Sequence, residues 1–202
     1  MKILAIGRNY VEHIKELNNA IPDEPVIFSK PDSAILRKNT PFYYPDYTQD
    51  IHHEVEVVIK ICKVGKSIQE EFAHTYYDEF AIGIDLTARD LQSKAKEKGL
   101  PWVLAKGFDG SAPISAFRSK KGYDLSNLNF SLDLNGNKVQ DGNTSHMMYT
   151  IDQLLAYVSR FITLKKGDLI FTGTPKGVGP IKIGDRLEAF LEDEKVMDFE
   201  VK

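Results

Sequence analysis

The stretch His52-His53-Glu54-Val55-Glu56-Val57-Val58-Ile59-Lys60-Ile61 decides the fold class. Its alternation reads as a strand, and in a strand residues i and i+2 share a face. Val55, Val57 and Ile59 then point into a core, while Glu54 and Glu56 share the other face, roughly 6.5–7 Å apart along the strand. Other segments repeat the strand reading. They are Lys2–Gly7, Phe80–Asp85, Leu169–Thr172 and Arg186–Leu191, together with Phe130–Leu134 and Lys138–Gln140 on either side of the hairpin signal Asn135-Gly136-Asn137. Helical spacing is found in Arg8–Asn19 (Tyr10, Ile14 and Leu17 on one stripe), Gln69–Tyr77, Thr87–Lys98 before Gly99, and Ile151–Phe161. Pro22, Pro25, Pro31, Pro41 and Pro45 predict extended segments and turns across 22–48. Strands outnumber helices without strict βαβ alternation. That predicts an α+β, β-rich mixed fold in a single domain over 1–202, with a strand and a lid helix in 1–20.

Composition narrows the function classes. The chain has 202 residues and a formal net charge of −3, with Lys and Arg dispersed, so nucleic acid is not an expected partner. No apolar run approaches the roughly 20 residues of a membrane helix, and the N-terminal run is too short for a signal peptide. Cys62 is the only cysteine, which excludes an intramolecular disulfide and fits a cytoplasmic setting.

Glu54 and Glu56 have two readings: surface glutamates on a solvated edge, or carboxylates whose mutual repulsion a cation relieves. A second acid bears on the choice. Asp85 follows the apolar run Ala81-Ile82-Gly83-Ile84, ahead of Thr87, a plausible N-cap in a capping-box pattern with Asp90. Three carboxylates from two strands make a hard, all-oxygen site suited to Mg²⁺ or Mn²⁺ and unsuited to structural zinc. Arg89 and Gln92 lie three apart on the following helix, and the Arg89 fork suits a substrate carboxylate, although a pairing with Asp90 is equally open.

Gly7-Arg8-Asn9-Tyr10, Phe28-Ser29-Lys30-Pro31, His53-Glu54-Val55-Glu56, Asp85-Leu86-Thr87-Ala88-Arg89-Asp90, Trp102-Val103-Leu104-Ala105-Lys106 and Thr172-Gly173-Thr174-Pro175-Lys176-Gly177-Val178-Gly179 occur in that order. Together they resemble the fumarylacetoacetate hydrolase family, in its short branch of acylpyruvate hydrolases and oxaloacetate decarboxylases. The resemblance implies a β-roll and a homodimer. It implies Glu54, Glu56 and Asp85 as metal ligands, Lys106 as an active-site lysine, Arg89, Gln92 and Thr174 as substrate-binding residues, and His13 with Glu16 as a catalytic pair on the first helix. The expected reaction is hydrolysis of a C–C bond in an acylpyruvate through a metal-bound pyruvate enolate. Decarboxylation of oxaloacetate, or isomerisation of a 2-hydroxyhepta-2,4-diene-1,7-dioate-type acid, is the alternative, and a catalytically silent metal-binding protein is a third. His52 is expected to be structural or to support residues of the site, Trp102 to serve packing, and His74 and His146 are assigned no role.

Overall fold

The computed structural model describes residues 1–16 and 20–202. In chain order the elements are β1 (Ile3–Gly7), α1 (Val11–Glu16), β2 (Val26–Lys30), β3 (Ile35–Leu36), β4 (Ile51–His53), β5 (Val55–Ile61), α2 (Glu70–Ala73), β6 (Tyr77–Ile84), β7 (Thr87–Ala88), α3 (Arg89–Lys98), α4 (Val103–Lys106), β8 (Ala112–Pro113), β9 (Arg118–Ser119), β10 (Asn129–Leu134), β11 (Asn137–Asn143), α5 (Ile151–Phe161), β12 (Leu169–Phe171), β13 (Gly179–Pro180), β14 (Arg186–Leu191) and β15 (Glu194–Glu200). The fold is mixed α+β and rich in strand. A six-stranded sheet runs β2-β1-β12-β5-β6-β9, and a four-stranded sheet runs β11-β10-β14-β15. Two small sheets, β13-β4-β7 and β3-β8, tie the loops around the site to these frames.

β5 lies inside the larger sheet, antiparallel to both β12 and β6. Its alternation has the expected period but not an exposed face. Val55, Val57 and Ile59 enter the main core, and Val58 enters a smaller cluster with Ile3, Leu169 and Phe171 on the opposite face. Glu56 shares that second face with Val58. In register it sits opposite Gly83, where an added Cβ would come within 2.6 Å of Val58 and 2.7 Å of Phe171. Glycine is therefore required there by close packing.

Local chemistry accounts for several elements. Asn135 and Gly136 both take positive φ (54° and 76°), as the tight turn between β10 and β11 requires. α5 starts with a reciprocal capping box between Thr150 and Gln153 and buries Ile151, Leu154, Leu155 and Val158. α3 ends at Gly99 in the left-handed conformation.

Other elements depart from the sequence reading. The first helix covers only Val11–Glu16 among the described residues, because Arg8 has φ 62° and Tyr10 bridges to Met147; Leu17–Asn19 lie outside the described residues. The helix expected over Gln69–Tyr77 is four residues long, since Tyr77 is drawn into β6 opposite Ile61. Thr87 does not cap α3. It pairs with His52 as part of β7, and the first helical N–H, that of Arg89, is bound instead by the Asp50 carbonyl at 2.8 Å.

Candidate active site

The strands around β5 bring the acids together. Glu54 occupies the break between β4 and β5, Glu56 the start of β5, and Asp85 the exit of β6. All three are buried, at 5%, 1% and 0% exposure, so the solvated-edge reading of the glutamates does not hold. One oxygen from each lies within 4.8 Å of the others. Carboxylates this close and this dry repel one another, and the effect is visible on Glu56. Burial, then Asp85 and Glu54, push its carboxyl well above the usual carboxylate range.

Cations answer part of this charge. The Lys106 ammonium, delivered by α4, donates to Glu54 Oε2 at 2.8 Å, Asp85 Oδ2 at 2.6 Å and Thr87 Oγ1 at 2.5 Å. Burial alone would lower its pKa, but Asp85 and Glu54 outweigh burial and raise it. Arg89 pairs with the other Glu54 oxygen, Oε1, and donates to Gln92 Oε1 at 2.9 Å rather than pairing with Asp90. Burial pushes the Glu54 carboxyl up, but Lys106 and Arg89 outweigh it and hold it well below its ordinary value. Asp90 instead accepts from Thr48 Oγ1 at 2.6 Å.

The donor set fits a hard divalent ion. It offers three carboxylates, all oxygen, buried and within 4.8 Å of one another. The Lys30 ammonium lies 2.7 Å from Asp85 Oδ1 and pairs with it as an ion.

His13 and Glu16 line up on α1 as i and i+3. His13 Nδ1 lies 3.2 Å from Glu16 Oε2, and Glu16 Oε1 accepts the Gly177 N–H at 2.9 Å, which ties the helix to the loop after β12. That loop contributes two further groups. The Gly173 N–H donates to Glu56 Oε2 at 2.7 Å, and Thr174 enters the same cavity. Gly173 has φ 105°, and an added Cβ would meet Asn9 at 2.7 Å, so a side chain is excluded there.

Eight of the nine residues singled out from sequence line one cavity: His13, Glu54, Glu56, Asp85, Arg89, Gln92, Lys106 and Thr174. Glu16 reaches it through His13. The cavity is only about 40 Å³, against roughly 30 Å³ of liquid per water molecule, so a small acid enters only if α1 or the side chains above the acids withdraw. A larger groove, about 760 Å³, is apolar and carries Asp109 as the one charged residue in its lining; it lacks the chemistry found in the smaller cavity.

Sequence reasoning assigned no role to three groups that hold this site. Lys30 is fully buried beneath Asp85, donating to Ser111 O at 2.9 Å and pairing with the Lys106 carbonyl. Burial pulls its pKa down against the pull of Asp85. Its signal was its place in the motif Phe28-Ser29-Lys30-Pro31, to which no role was attached. Gln140, 1% exposed, accepts at Oε1 from Val55 N and from His53 Nδ1, both at 3.0 Å, and donates from Nε2 to Thr174 Oγ1 at 2.9 Å and Pro175 O at 3.0 Å. Asn9, fully buried, donates to Thr172 O at 2.8 Å and Tyr149 O at 3.1 Å, which fixes the root of α1. Asn9 stands in the motif Gly7-Arg8-Asn9-Tyr10, whereas Gln140 has no local signature. Trp102 does pack, 5.8 Å from the Phe28 ring, and both rings also wall the cavity. His52 meets Asp50 at 2.9 Å and does not line the cavity.

Known proteins share this arrangement of chain. Mitochondrial oxaloacetate tautomerase FAHD1 of Mus musculus is 45% identical over 201 residues, covering 99% of this chain and 91% of its own. A mitochondrial oxaloacetate decarboxylase of Dictyostelium discoideum is 47% identical over 185 residues, 91% of this chain and 85% of its own. Among solved structures, fumarylpyruvate hydrolase from Pseudomonas aeruginosa, in complex with Mn²⁺ and pyruvate, superposes with a TM-score of 0.95 at 32% identity, covering 100% of this chain and 89% of that one. The 2-hydroxyhepta-2,4-diene-1,7-dioate isomerase of Mycobacterium marinum superposes at 0.86 with 32% identity, over 99% and 73%. The family model for the fumarylacetoacetate (FAA) hydrolase C-terminal domain matches residues 2–202, and with these identities it shows that the chain is an enzyme belonging to the fumarylacetoacetate hydrolase family.

Proposed function

We propose that this enzyme hydrolyses a C–C bond in an acylpyruvate-type β-diketo acid and releases the pyruvate part as its enolate. The supporting observation is that a buried three-carboxylate cluster and the His13–Glu16 pair share one cavity. A Mg²⁺ or Mn²⁺ ion held by Glu54, Glu56 and Asp85 supplies Lewis acidity toward the 2-oxo acid. The chain's own groups do the rest. Arg89 and the Thr174 hydroxyl bind the substrate carboxylate, and Gln92 holds the Arg89 fork in place. With His13 Nδ1–H donating to Glu16, Nε2 carries the lone pair that takes a proton from water. The hydroxide attacks the distal carbonyl. The C–C bond then breaks, its electrons pass into the pyruvate enolate, and the acyl part leaves as a carboxylic acid. Lys106 offsets the negative charge that develops beside the cluster.

A second reading is favoured by the relatives, two of which are named for oxaloacetate. Decarboxylation or tautomerisation of that acid passes through the same enolate without an attacking water. We also propose a single catalytic domain, a homodimer and a cytosolic setting, against which stand the two relatives named as mitochondrial. The described residues contain no helix long and apolar enough to cross a membrane. The test is turnover by the purified chain, with Mg²⁺ or Mn²⁺ and after chelation, on acetylpyruvate, oxaloacetate and a hydroxymuconate-type diacid. Metal-dependent formation of pyruvate and acetate from acetylpyruvate is expected. Turnover of oxaloacetate alone would replace the first reading by the second, and full activity after exhaustive chelation would overturn both.

A further inference from the structure

Lys30 takes no part in the proposed reaction, yet the fold buries it at the foot of the acid cluster. Its side chain is fully buried at the end of β2 and does not line the cavity. A buried ammonium is costly unless it is paired and hydrogen-bonded, so its neighbours matter. Its nitrogen lies 2.7 Å from Asp85 Oδ1, 2.9 Å from Ser111 O, 3.1 Å from Ser111 Oγ and 3.3 Å from Leu86 O, and it also donates to the Lys106 carbonyl. The Ser111 hydroxyl gives its own proton to the Lys106 carbonyl at 2.8 Å, so it too accepts from Lys30. Every one of these neighbours is an acceptor. A neutral amine would turn its lone pair on one of them, whereas an ammonium has only donors to offer. With Lys30 counted, the acids are matched charge for charge. Lys106 pairs with Glu54 and Asp85, Arg89 with Glu54, and Lys30 with Asp85. A divalent ion entering this cluster adds two charges that the cluster does not answer. It also stands close to an ammonium that cannot withdraw, because four oxygens besides Asp85 hold it. Repulsion between charges a few ångströms apart is strong in a buried site. Lys106 and Arg89, by contrast, line the cavity and are within reach of an incoming anion.

We propose that Lys30 makes the divalent ion and the anionic 2-oxo acid bind as a pair: its fixed charge beneath Asp85 weakens binding of the ion alone, and the charge of the acid restores the balance. This rests on the reading of the cluster as a metal site for a 2-oxo acid and adds how the two ligands depend on each other. The coupling is reciprocal, so the acid binds weakly without the ion. Chelation by itself couples the ion to any 2-oxo compound. The part due to Lys30 follows charge, and a neutral 2-oxo amide offering two carbonyl oxygens lacks it. Lys30 touches neither ligand and acts through Asp85. A residue that served only to tie β2, the exit of β6 and α4 together would have the opposite effect, since its loss would loosen the acids and weaken the ion.

Calorimetry on the full chain gives the Kd of Mn²⁺ alone, with saturating pyruvate and with saturating pyruvamide. In the wild type, pyruvate is expected to tighten Mn²⁺ binding roughly tenfold more than pyruvamide does. Lys30→Gln keeps a donor for the surrounding carbonyls and carries no charge, and Lys30→Met is a second neutral variant of similar length. Either is expected to bind Mn²⁺ alone roughly tenfold more tightly than the wild type and to lose most of the difference between the two ligands. Lys30→Arg keeps the charge and the wild-type pattern. Melting curves show which variants are folded. Weaker or unchanged Mn²⁺ binding in a folded neutral variant overturns the proposal. The wild type decides without any variant: equal tightening by pyruvate and pyruvamide overturns the coupling by charge and leaves the metal and 2-oxo acid reading standing. Failure of the wild type to bind Mn²⁺, with pyruvate or without it, overturns both.

Discussion

Gln140→Glu separates the scaffold of this site from its chemistry. The wild-type amide is fully used: two acceptor contacts at Oε1, to Val55 N and His53 Nδ1, and two donor contacts from Nε2, to Thr174 Oγ1 and Pro175 O. Because Thr174 Oγ1 accepts from Nε2, its own proton is available to the cavity; its contact with Pro175 O, at 3.5 Å, is too long to hold that proton. A carboxylate of the same shape keeps both acceptor contacts and loses both donors. Pro175 O then faces an oxygen without a proton, a buried unpaired group that costs about 1–3 kcal/mol. The Thr174 hydroxyl rotates to donate to the new carboxylate and withdraws its proton from the substrate. A hydrogen bond to a charged group contributes about 1.5–3 kcal/mol, so KM should rise about ten- to hundredfold with a much smaller change in kcat. The melting temperature should fall by about 2–4 °C per kcal/mol lost. The assay is initial rates across substrate concentration, with thermal melts on the same preparations. A lowered melting temperature with an unchanged KM would show that Gln140 serves stability alone and that Thr174 does not present its proton to the substrate. Wild-type values for both would refute the hydrogen-bond network itself.

Three further outcomes are expected. His13→Ala should slow acylpyruvate hydrolysis by roughly 10²–10⁴-fold, the usual contribution of a general base, and slow oxaloacetate decarboxylation far less; equal proportional losses would remove water activation from His13. Mg²⁺ at a hundred times its Kd should stabilise the wild type by about 2.7 kcal/mol, and Glu56→Gln should abolish that gain in a melting experiment, whereas an intact gain would place the ion elsewhere. Burial pushes the Asp168 carboxyl up, but hydrogen bonds from the Lys2 ammonium and from the Lys2 and Lys165 N–H groups outweigh it and hold the carboxyl below its ordinary value. The stability this contributes is present above about pH 4 and is lost as the pH falls through the lowered folded-state value. Asp168→Asn should therefore melt lower than the wild type at pH 7, with the gap closing as the pH falls through the lowered folded-state value; parallel curves would refute the linkage.

Local pattern located the acidic cluster in advance. Glu54 and Glu56 were paired by a strand period of two, although Glu54 falls at the break between β4 and β5, and Asp85 follows an apolar strand; His13 and Glu16, neighbours three apart on α1, were pointed to by the family resemblance. Local pattern failed where a contact distant in sequence overrode a local preference. Thr87 has the chemistry of a helix cap, yet pairing with His52 makes it a strand residue, and the Asp50 carbonyl does the capping 39 positions from Arg89. β15 was missed because Glu194-Lys195-Val196-Met197-Asp198-Phe199-Glu200 buries only Met197 and Phe199 well, and it is held as a strand by its register with β14. The holders of the site were the least legible of all. Gln140 acts across 85 positions on Val55 and across 34 on Thr174, and Lys30 across 81 on Ser111. A neutral amide or a lone lysine has no periodicity, and its role exists only once the sheets have closed around it. The division has a physical cause. Charged groups gather in a cavity through the strands that carry them, and those strands leave a pattern in the sequence. The hydrogen bonds that fix their positions to tenths of an ångström are made by whichever polar group the closed fold brings within reach, and such groups leave none.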